Sequence, residues 1–172
     1  MHQLLRAGEE LTSADRPAAL VTAVVERVLG RGRPARWLRG SWLGHPVHPL
    51  VVTVPLGAWS SSAVLRVAGQ EQQARRLILV GLLTVPPAVL AGLAELPTLD
   101  TRQQRVALVH AGSNTVGSVL FLAAYRTTDP RRSAALGLTA LAAAGLGGAF
   151  GGHLTYALGA GVGRWPRPDT AG

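Results

Sequence analysis

The chain has 172 residues, nearly half of them hydrophobic, and a formal net charge of +8 at pH 7. It contains no cysteine, which excludes disulfide bonds, thiolate metal sites and Cys-ligated iron–sulfur clusters within this chain. All its basic residues are arginines, and they lie between apolar segments rather than along one continuous face. This pattern is typical of a membrane protein and not of a nucleic-acid-binding protein.

The N-terminal part predicts a helix that lies on a membrane surface. Residues 1–17 contain acids and no apolar core, so we expect no secretory signal peptide and a flexible end around His2. Apolar side chains then repeat at helical spacing over residues 20–29, with polar ones opposite, and an arginine-rich loop with Trp37 and Trp42 follows. This amphipathic helix is too short to span a bilayer, so we expect it in the headgroup region. Packing against a partner protein is the alternative.

Four apolar stretches follow, at residues 50–68, 77–96, 106–125 and 134–156. Each is close to the ~20 residues that a helix needs to cross a ~30 Å hydrocarbon layer. Short polar connectors require successive helices to be antiparallel. A soluble four-helix bundle is the alternative, but the second and fourth stretches lack the polar stripe it would need.

We therefore predict an all-α protein, a four-transmembrane-helix antiparallel bundle preceded by an interfacial amphipathic helix. The predicted parts are residues 1–43 for the helix and its Arg/Trp-rich loop, 44–163 for the membrane domain, and 164–172 for a polar tail.

Four spans place both chain ends on one side, called the terminal side below. Arginines expected near that side are Arg31, Arg33, Arg36, Arg39, Arg102, Arg105, Arg164 and Arg167. Those expected on the other side are Arg66, Arg75, Arg76, Arg126, Arg131 and Arg132. The small excess on the terminal side favours chain ends in the cytoplasm.

The same topology brings four histidines and a carboxylate to one layer on the terminal side. The candidate metal or haem ligands are His45, His48, His110 and His153, with Glu95 as a ligand, proton acceptor or supporting group and Asn114 one turn below His110. Imidazoles with a carboxylate suit zinc, copper or non-haem iron, and two facing imidazoles suit a b-type haem. Ionisable groups at membrane depth are candidates for function.

Each of these residues also has an ordinary structural interpretation. His45 and His48 precede Pro46 and Pro49, which suit helix starts at an interface. In this interpretation His110 is a buried imidazole bonded to a neighbouring backbone group. Glu95 either extends to water or pairs with one of two arginines, Arg102 or Arg105.

A glycine pattern in the fourth stretch has two interpretations. The residues Gly147, Gly148, Gly151 and Gly152 repeat at small-xxx-small spacing. Close helix packing is the common use of such a pattern. A slot for a flat macrocycle beside His153 is the functional alternative.

Four segments of the chain are distinctive: "WLGHPVHPLVVTVPLGAW", "AGLAEL", "RVALVHAGSN" and "GGHLTYALGAGV". In this order they resemble the domain-of-unknown-function 2231 family of bacterial membrane proteins, over roughly residues 37–163. The resemblance implies a four-helix membrane domain of the bacterial cytoplasmic membrane, which in similar actinobacterial proteins precedes a Rieske iron–sulfur domain. By position, the resemblance implies that the family's histidines correspond to His45, His48, His110 and His153, with Asn114 four residues after His110. The Asp-Trp pair of family members is Glu95-Leu96 here, so the carboxylate is kept and the aromatic ring is lost.

The residues and the resemblance together predict a His-rich site that binds a redox metal or b-type haem and supports electron transfer. We expect no stand-alone enzyme and no nucleic-acid partner, and we expect a separate redox protein, such as a Rieske protein, as the electron partner. A cofactor-free scaffold, in which the His/Glu layer is a structural polar network, is the alternative. A proton or small-ion pathway is a third interpretation, which lacks matching ionisable residues in the other half of the bundle.

Overall fold

The computed structural model describes residues 1–30 and 32–165, so Arg31, Arg167 and most of the predicted polar tail lie outside the described residues. In this part of the chain the regular elements are helices. Four helical stretches are long and apolar enough to cross a membrane: His48–Val67, Glu71–Thr98, Thr101–Arg126 and Pro130–Ala157. The predicted all-α, four-span fold is confirmed.

Among the described residues, three α-helices precede the first span: α1 (His2–Glu9), α2 (Asp15–Leu29) and α3 (Arg33–Leu38). A 3₁₀ turn, Thr12–Ala14, joins α1 to α2. The amphipathic helix predicted from residues 20–29 is α2, which exposes Leu20, Val24 and Val28 and buries Val25. A helix begins at His2, where the sequence predicted a flexible end, and this helix packs against the third span.

The first hairpin consists of α4 (His48–Val51), α5 (Thr53–Val67) and α6 (Glu71–Glu95). Proline in the first turn of α4 is tolerated because amides there have no partner within the helix. Pro55 has no amide hydrogen to donate to the carbonyl of Val51, four residues earlier, and α4 ends at Val51. The 3₁₀ turn Leu96–Thr98 extends α6 to the terminal side.

The second hairpin consists of α7 (Thr101–Arg126) and α8 (Pro130–Gly152), and a π-helical turn, His153–Ala157, completes the fourth span. Asp100 caps α7 in a capping box with Gln103. Asp129 caps α8 by accepting hydrogen bonds from the amides of its first turn. These caps place the starts of both helices at defined residues.

An aromatic stack joins the two hairpins at the centre of the bundle. Helix α5 packs mainly on α6, and α7 packs mainly on α8. Between them Trp59 of α5 stacks on Phe121 of α7, with ring centroids 4.2 Å apart and planes at 16°. Ile78 and Ala140 complete this buried core, one from the second helix of each hairpin.

Candidate functional site

Two of the four candidate histidines meet at the terminal side of the bundle. His48 begins α4, and His110 lies in the third turn of α7. Their ring centroids are 5.8 Å apart and the ring planes cross at 81°, an edge-to-face arrangement. The two rings come from different hairpins, so this contact lies between the two halves of the membrane domain.

His48 is fixed by the second helix of its own hairpin. Its Nδ1 atom lies 2.8 Å from the carbonyl oxygen of Ala88. Gly92 leaves the space that the ring occupies, because a Cβ atom there would lie 2.9 Å from Nδ1 of His48. The ring therefore contacts α6 directly.

His110 is fixed by α8 in the same way. Its Nδ1 atom lies 2.7 Å from the carbonyl oxygen of Gly147, and a Cβ atom at Gly151 would lie 2.9 Å from the ring. In both cases the glycine comes four residues after the carbonyl that the histidine contacts.

These contacts decide which ring nitrogen carries the proton in the neutral form. A carbonyl oxygen can only accept a hydrogen bond, so Nδ1 of each neutral ring is the donor. The lone pair of each ring is then on Nε2. Histidine ligands in metalloproteins are commonly oriented by this same bond from the other ring nitrogen to a backbone carbonyl.

Asn114 supports His110 from one turn deeper in α7. Its side-chain amide donates to the His110 carbonyl oxygen at 2.8 Å and lies 3.4 Å from Nε2 of the ring. Gly147 makes room for this side chain, since a Cβ atom there would lie 2.6 Å from the Asn114 amide nitrogen.

The four glycines of α8 therefore divide into two faces. Gly147 and Gly151 receive Asn114 and His110, so that face is filled by side chains of α7. A Cβ atom at Gly148 would meet nothing within 4 Å, and one at Gly152 would meet only Tyr156, at 4.0 Å.

His153 does not join the histidine pair but binds the N-terminal helix. Its Nε2 donates to Oε1 of Glu9 at 2.5 Å, and Arg102 donates to the other oxygen of the same carboxylate. Burial raises the pKa of Glu9, but the hydrogen bonds from His153 and Arg102 outweigh it, so the net effect lowers the pKa below its usual value of 4.5.

A second ion pair holds the start of α2 on α7. Arg105 donates to both oxygens of Asp15, at 2.5 and 2.8 Å, and also to the main-chain carbonyl of Glu9 at 3.1 Å. The hydrogen bond from Arg105 lowers the pKa of Asp15. The two arginines near the start of α7 thus bind acids of the N-terminal segment.

Glu95 pairs with Arg164 and not with Arg102 or Arg105, the alternative partners expected from the sequence. Its Oε2 accepts a hydrogen bond from Nη1 of Arg164 at 2.5 Å, and Nη2 of Arg164 reaches the Thr98 hydroxyl at 2.9 Å. The other carboxylate oxygen, Oε1, is buried without a hydrogen-bond partner within the described part of the chain.

His45 is exposed, and its Nδ1 lies 3.2 Å from the carbonyl oxygen of Pro46. Across residues 1–30 and 32–165, no three side chains of His, Cys, Asp or Glu lie close enough together to hold a metal ion. The candidate residues are thus distributed over a His48–His110 pair, two ion pairs and one exposed imidazole.

A family model described as "predicted membrane protein (DUF2231)" matches residues 44–164. This chain belongs to the DUF2231 family. The match contains both paired histidines, the glycines that receive them and the Glu95–Arg164 pair, whereas α1, α2 and α3 precede it. Comparisons with curated proteins and with solved structures find no match to this DUF2231 chain.

Sequence reasoning did not identify Glu9 as part of the terminal-side network of this DUF2231 protein. A signal was present, because acids near the N-terminus complement arginines at the start of the third span. A second missed signal is the repeat of a histidine followed eleven residues later by an aromatic residue, at His48–Trp59 and His110–Phe121. Each member of one pair contacts its counterpart in the other.

Proposed function

We propose that His48 and His110 are the protein ligands of a redox-active metal centre, with a b-type haem as the cofactor, and that this centre supports electron transfer. The observation that carries the proposal is the facing pair of imidazoles, each fixed through Nδ1 on a backbone carbonyl so that the lone pair is on Nε2. At His110 the Asn114 amide lies 3.4 Å from Nε2 and would move away when a metal binds there. A metal–nitrogen bond of about 2.0–2.1 Å puts an imidazole ring centre about 3.2 Å from the metal, so two imidazoles on opposite sides of one metal have ring centres about 6.4 Å apart. The ring centres of His48 and His110 are 5.8 Å apart, so the rings would move apart by about half an ångström to bind one metal between them.

The number of ligands favours haem over a bare ion. A bare zinc or non-haem iron site takes three or more protein ligands. Haem supplies four nitrogen ligands itself, so His48 and His110 would be enough to hold it. Because the histidines belong to different hairpins, a macrocycle bound by both would be shared by the two halves of the bundle. The face of α8 with Gly147 and Gly151 is filled by side chains, so it is not part of the proposed macrocycle site.

The other candidate residues support the pair in this proposal. Asn114 holds the backbone and ring of His110, and the ion pairs of His153 and Glu95 secure the terminal side around it. The protein would pass single electrons to a separate redox protein, of which a Rieske protein is one candidate. The resemblance to bacterial membrane proteins supports a location in the bacterial cytoplasmic membrane, and the arginine distribution supports chain ends in the cytoplasm.

The experiment is an absorption spectrum of the detergent-purified protein, oxidised and then reduced with dithionite, with elemental analysis of the same sample. The protein is expressed with haem and metals supplied. We expect a sharp reduced band with stoichiometric iron, lost in His48→Ala and in His110→Ala and retained in His45→Ala, the control. His110→Met keeps an axial ligand of similar size and should raise the reduction potential, which a purely structural role would not do.

Two results would overturn the haem assignment. Bound copper or zinc without the band, dependent on the same two histidines, would assign the pair to a bare ion. A colourless, metal-free wild-type protein would remove the metal centre altogether.

A cofactor-free scaffold is the second candidate function. It is favoured by the contacts of His153 with Glu9 and of Glu95 with Arg164, since these side chains already hydrogen-bond to one another without a metal. In that case the N-terminal helices held by this network would bind the partner. The purified protein would contain no metal, and the histidine variants would only lose stability.

A further inference from the structure

A surface cavity lies beside α3, away from the histidine pair. Its volume is about 410 Å³, and its lining residues are Arg33, Pro34, Arg36, Trp37 and Ser41. We propose that this cavity binds the phosphate group of an anionic phospholipid headgroup. The proposal is independent of the metal centre.

The charge of the cavity supports an anionic ligand. Within the described part of the chain, neither Arg33 nor Arg36 forms an ion pair or a side-chain hydrogen bond. The described arginines beside the spans at this end have partners: Arg39, Arg102, Arg105 and Arg164. Arg6, Arg16 and Arg27 of the N-terminal helices also lack a side-chain partner in the described part of the chain, but they do not line the cavity. Two unpaired guanidinium groups on one wall are suited to the oxygens of a phosphate.

The position of α3 supports a lipid as the source of that phosphate. Ala35 is fully buried, and Arg39 donates from Nε to the carbonyl oxygen of Ala94 at 2.7 Å. These contacts fix α3 to the end of the second span, at the depth where hydrocarbon gives way to headgroups.

Two tryptophans add an apolar component that a free phosphate would not use. The rings of Trp37 and Trp42 stack with centroids 5.9 Å apart, and they remain 60% and 57% exposed. Exposed tryptophans at a membrane end prefer the interface between headgroups and acyl chains. The cavity therefore has cationic groups beside a surface suited to the acyl-chain end of the same lipid.

The turn after α3 places a hydroxyl on the cavity wall. Ser41 is held by a hydrogen bond from its amide to the Arg36 carbonyl at 3.1 Å. Gly40 before it has φ of +92°, and a side chain there would collide with the backbone carbonyl of His45. The chain can therefore turn tightly here, which keeps Ser41 next to the two arginines.

The experiment measures lipid binding to the full-length protein in detergent by native mass spectrometry and by the shift in unfolding temperature. The probes are dioleoylphosphatidylglycerol, dioleoylphosphatidylcholine and inorganic phosphate. We expect phosphatidylglycerol to bind most tightly, and the double variant Arg33→Gln/Arg36→Gln to weaken it by about tenfold to thirtyfold. The matched control Arg131→Gln/Arg132→Gln removes two exposed arginines from the opposite end of the bundle and should retain wild-type binding.

A further variant tests the tryptophan side of the cavity separately from the two arginines. Trp37→Ala should weaken phosphatidylglycerol binding with both arginines in place, provided that circular dichroism shows an unchanged helix content. Equal losses in both double variants would overturn the proposal in favour of general charge attraction. Stabilisation by inorganic phosphate as large as that by phosphatidylglycerol would make this a site for free phosphate.

Discussion

At the scale of single residues, the positions of the paired histidines depend on two glycines. Gly92 and Gly151 each leave the space that one imidazole ring fills, and the ring's Nδ1 then reaches a carbonyl of the same helix. Glycine is needed here for close approach rather than for an unusual backbone angle, because both residues lie within regular helices.

Gly151→Ala tests this arrangement. The added methyl group would lie 2.9 Å from the ring of His110, so the ring or the helix must shift. We expect a destabilisation of about 1–3 kcal/mol, as for other overpacked sites, and loss of any metal bound by the histidine pair. The measurement is reversible unfolding in mixed micelles together with metal content. Gly148→Ala is the control, because its methyl group would meet nothing within 4 Å. Equal destabilisation by both variants would contradict the model of a glycine-dependent ring position.

Most of the geometry of the histidine pair could not be predicted from the sequence, and the reason is physical. Depth along a helix follows from residue number, so His48 and His110 could be assigned to one layer. Side-chain direction follows from helix rotation and neighbouring packing, which the sequence does not state. For that reason His153, also assigned to this layer, is found bonded to Glu9 of a helix that was not predicted.

At the scale of elements, α1 and α2 are held on the bundle by charge. Glu9 bridges His153 at the end of the fourth span and Arg102 at the start of the third, while Asp15 binds Arg105. Polar contacts of this kind allow a helix to stay attached even where its outer face is exposed to headgroups. The amphipathic pattern of α2 could be recognised in the sequence, whereas the attachment depends on pairs of residues that are 90 or more positions apart.

Acid should release these N-terminal helices. The pKa of Glu9 is lower when folded than its usual value of 4.5, so its contribution to stability is complete above that pH and declines as pH falls through the folded value. The contribution of Asp15 to stability is likewise lost in acid, since Arg105 lowers its pKa in the folded state. We expect the protection factors of amides in α1 and α2, which are exchange rates corrected for the intrinsic effect of pH, to fall below about pH 4.5, with the four spans still protected.

Glu9→Gln separates this docking contact from a general effect of acid. It should weaken docking by about 2 kcal/mol at neutral pH, the value of hydrogen bonds to a charged group, and reduce the acid dependence of exchange in α1. Glu10→Gln changes the neighbouring, exposed carboxylate and should behave as wild type. An unchanged exchange profile in Glu9→Gln would show that α1 is held by its apolar contacts, such as Gly8 against Phe150.

At the scale of the whole molecule, the membrane domain is built from two similar hairpins. Each starts on the terminal side, carries a histidine near that end and an aromatic residue eleven positions later, and docks its histidine over a glycine of its second helix. Matching residues meet in pairs, His48 with His110 and Trp59 with Phe121. The number and order of the spans were predictable from apolar length alone. The pairing was not, because it arises from contacts between halves whose sequences share few identical residues.

The two-hairpin arrangement predicts which loops lie on which side of the membrane. The chain has no cysteine, so single cysteines can be introduced and labelled with a membrane-impermeant maleimide in intact cells. Gln72→Cys and Thr128→Cys lie near the loops within the two hairpins, and both should label from outside. Ser13→Cys and Thr101→Cys lie on the terminal side and should label only after the cells are opened, because the arginine excess favours that side in the cytoplasm. The four positions are exposed in the structure. Labelling with the opposite sidedness would reverse the proposed orientation, and different sidedness for Gln72 and Thr128 would contradict the parallel placement of the two hairpins.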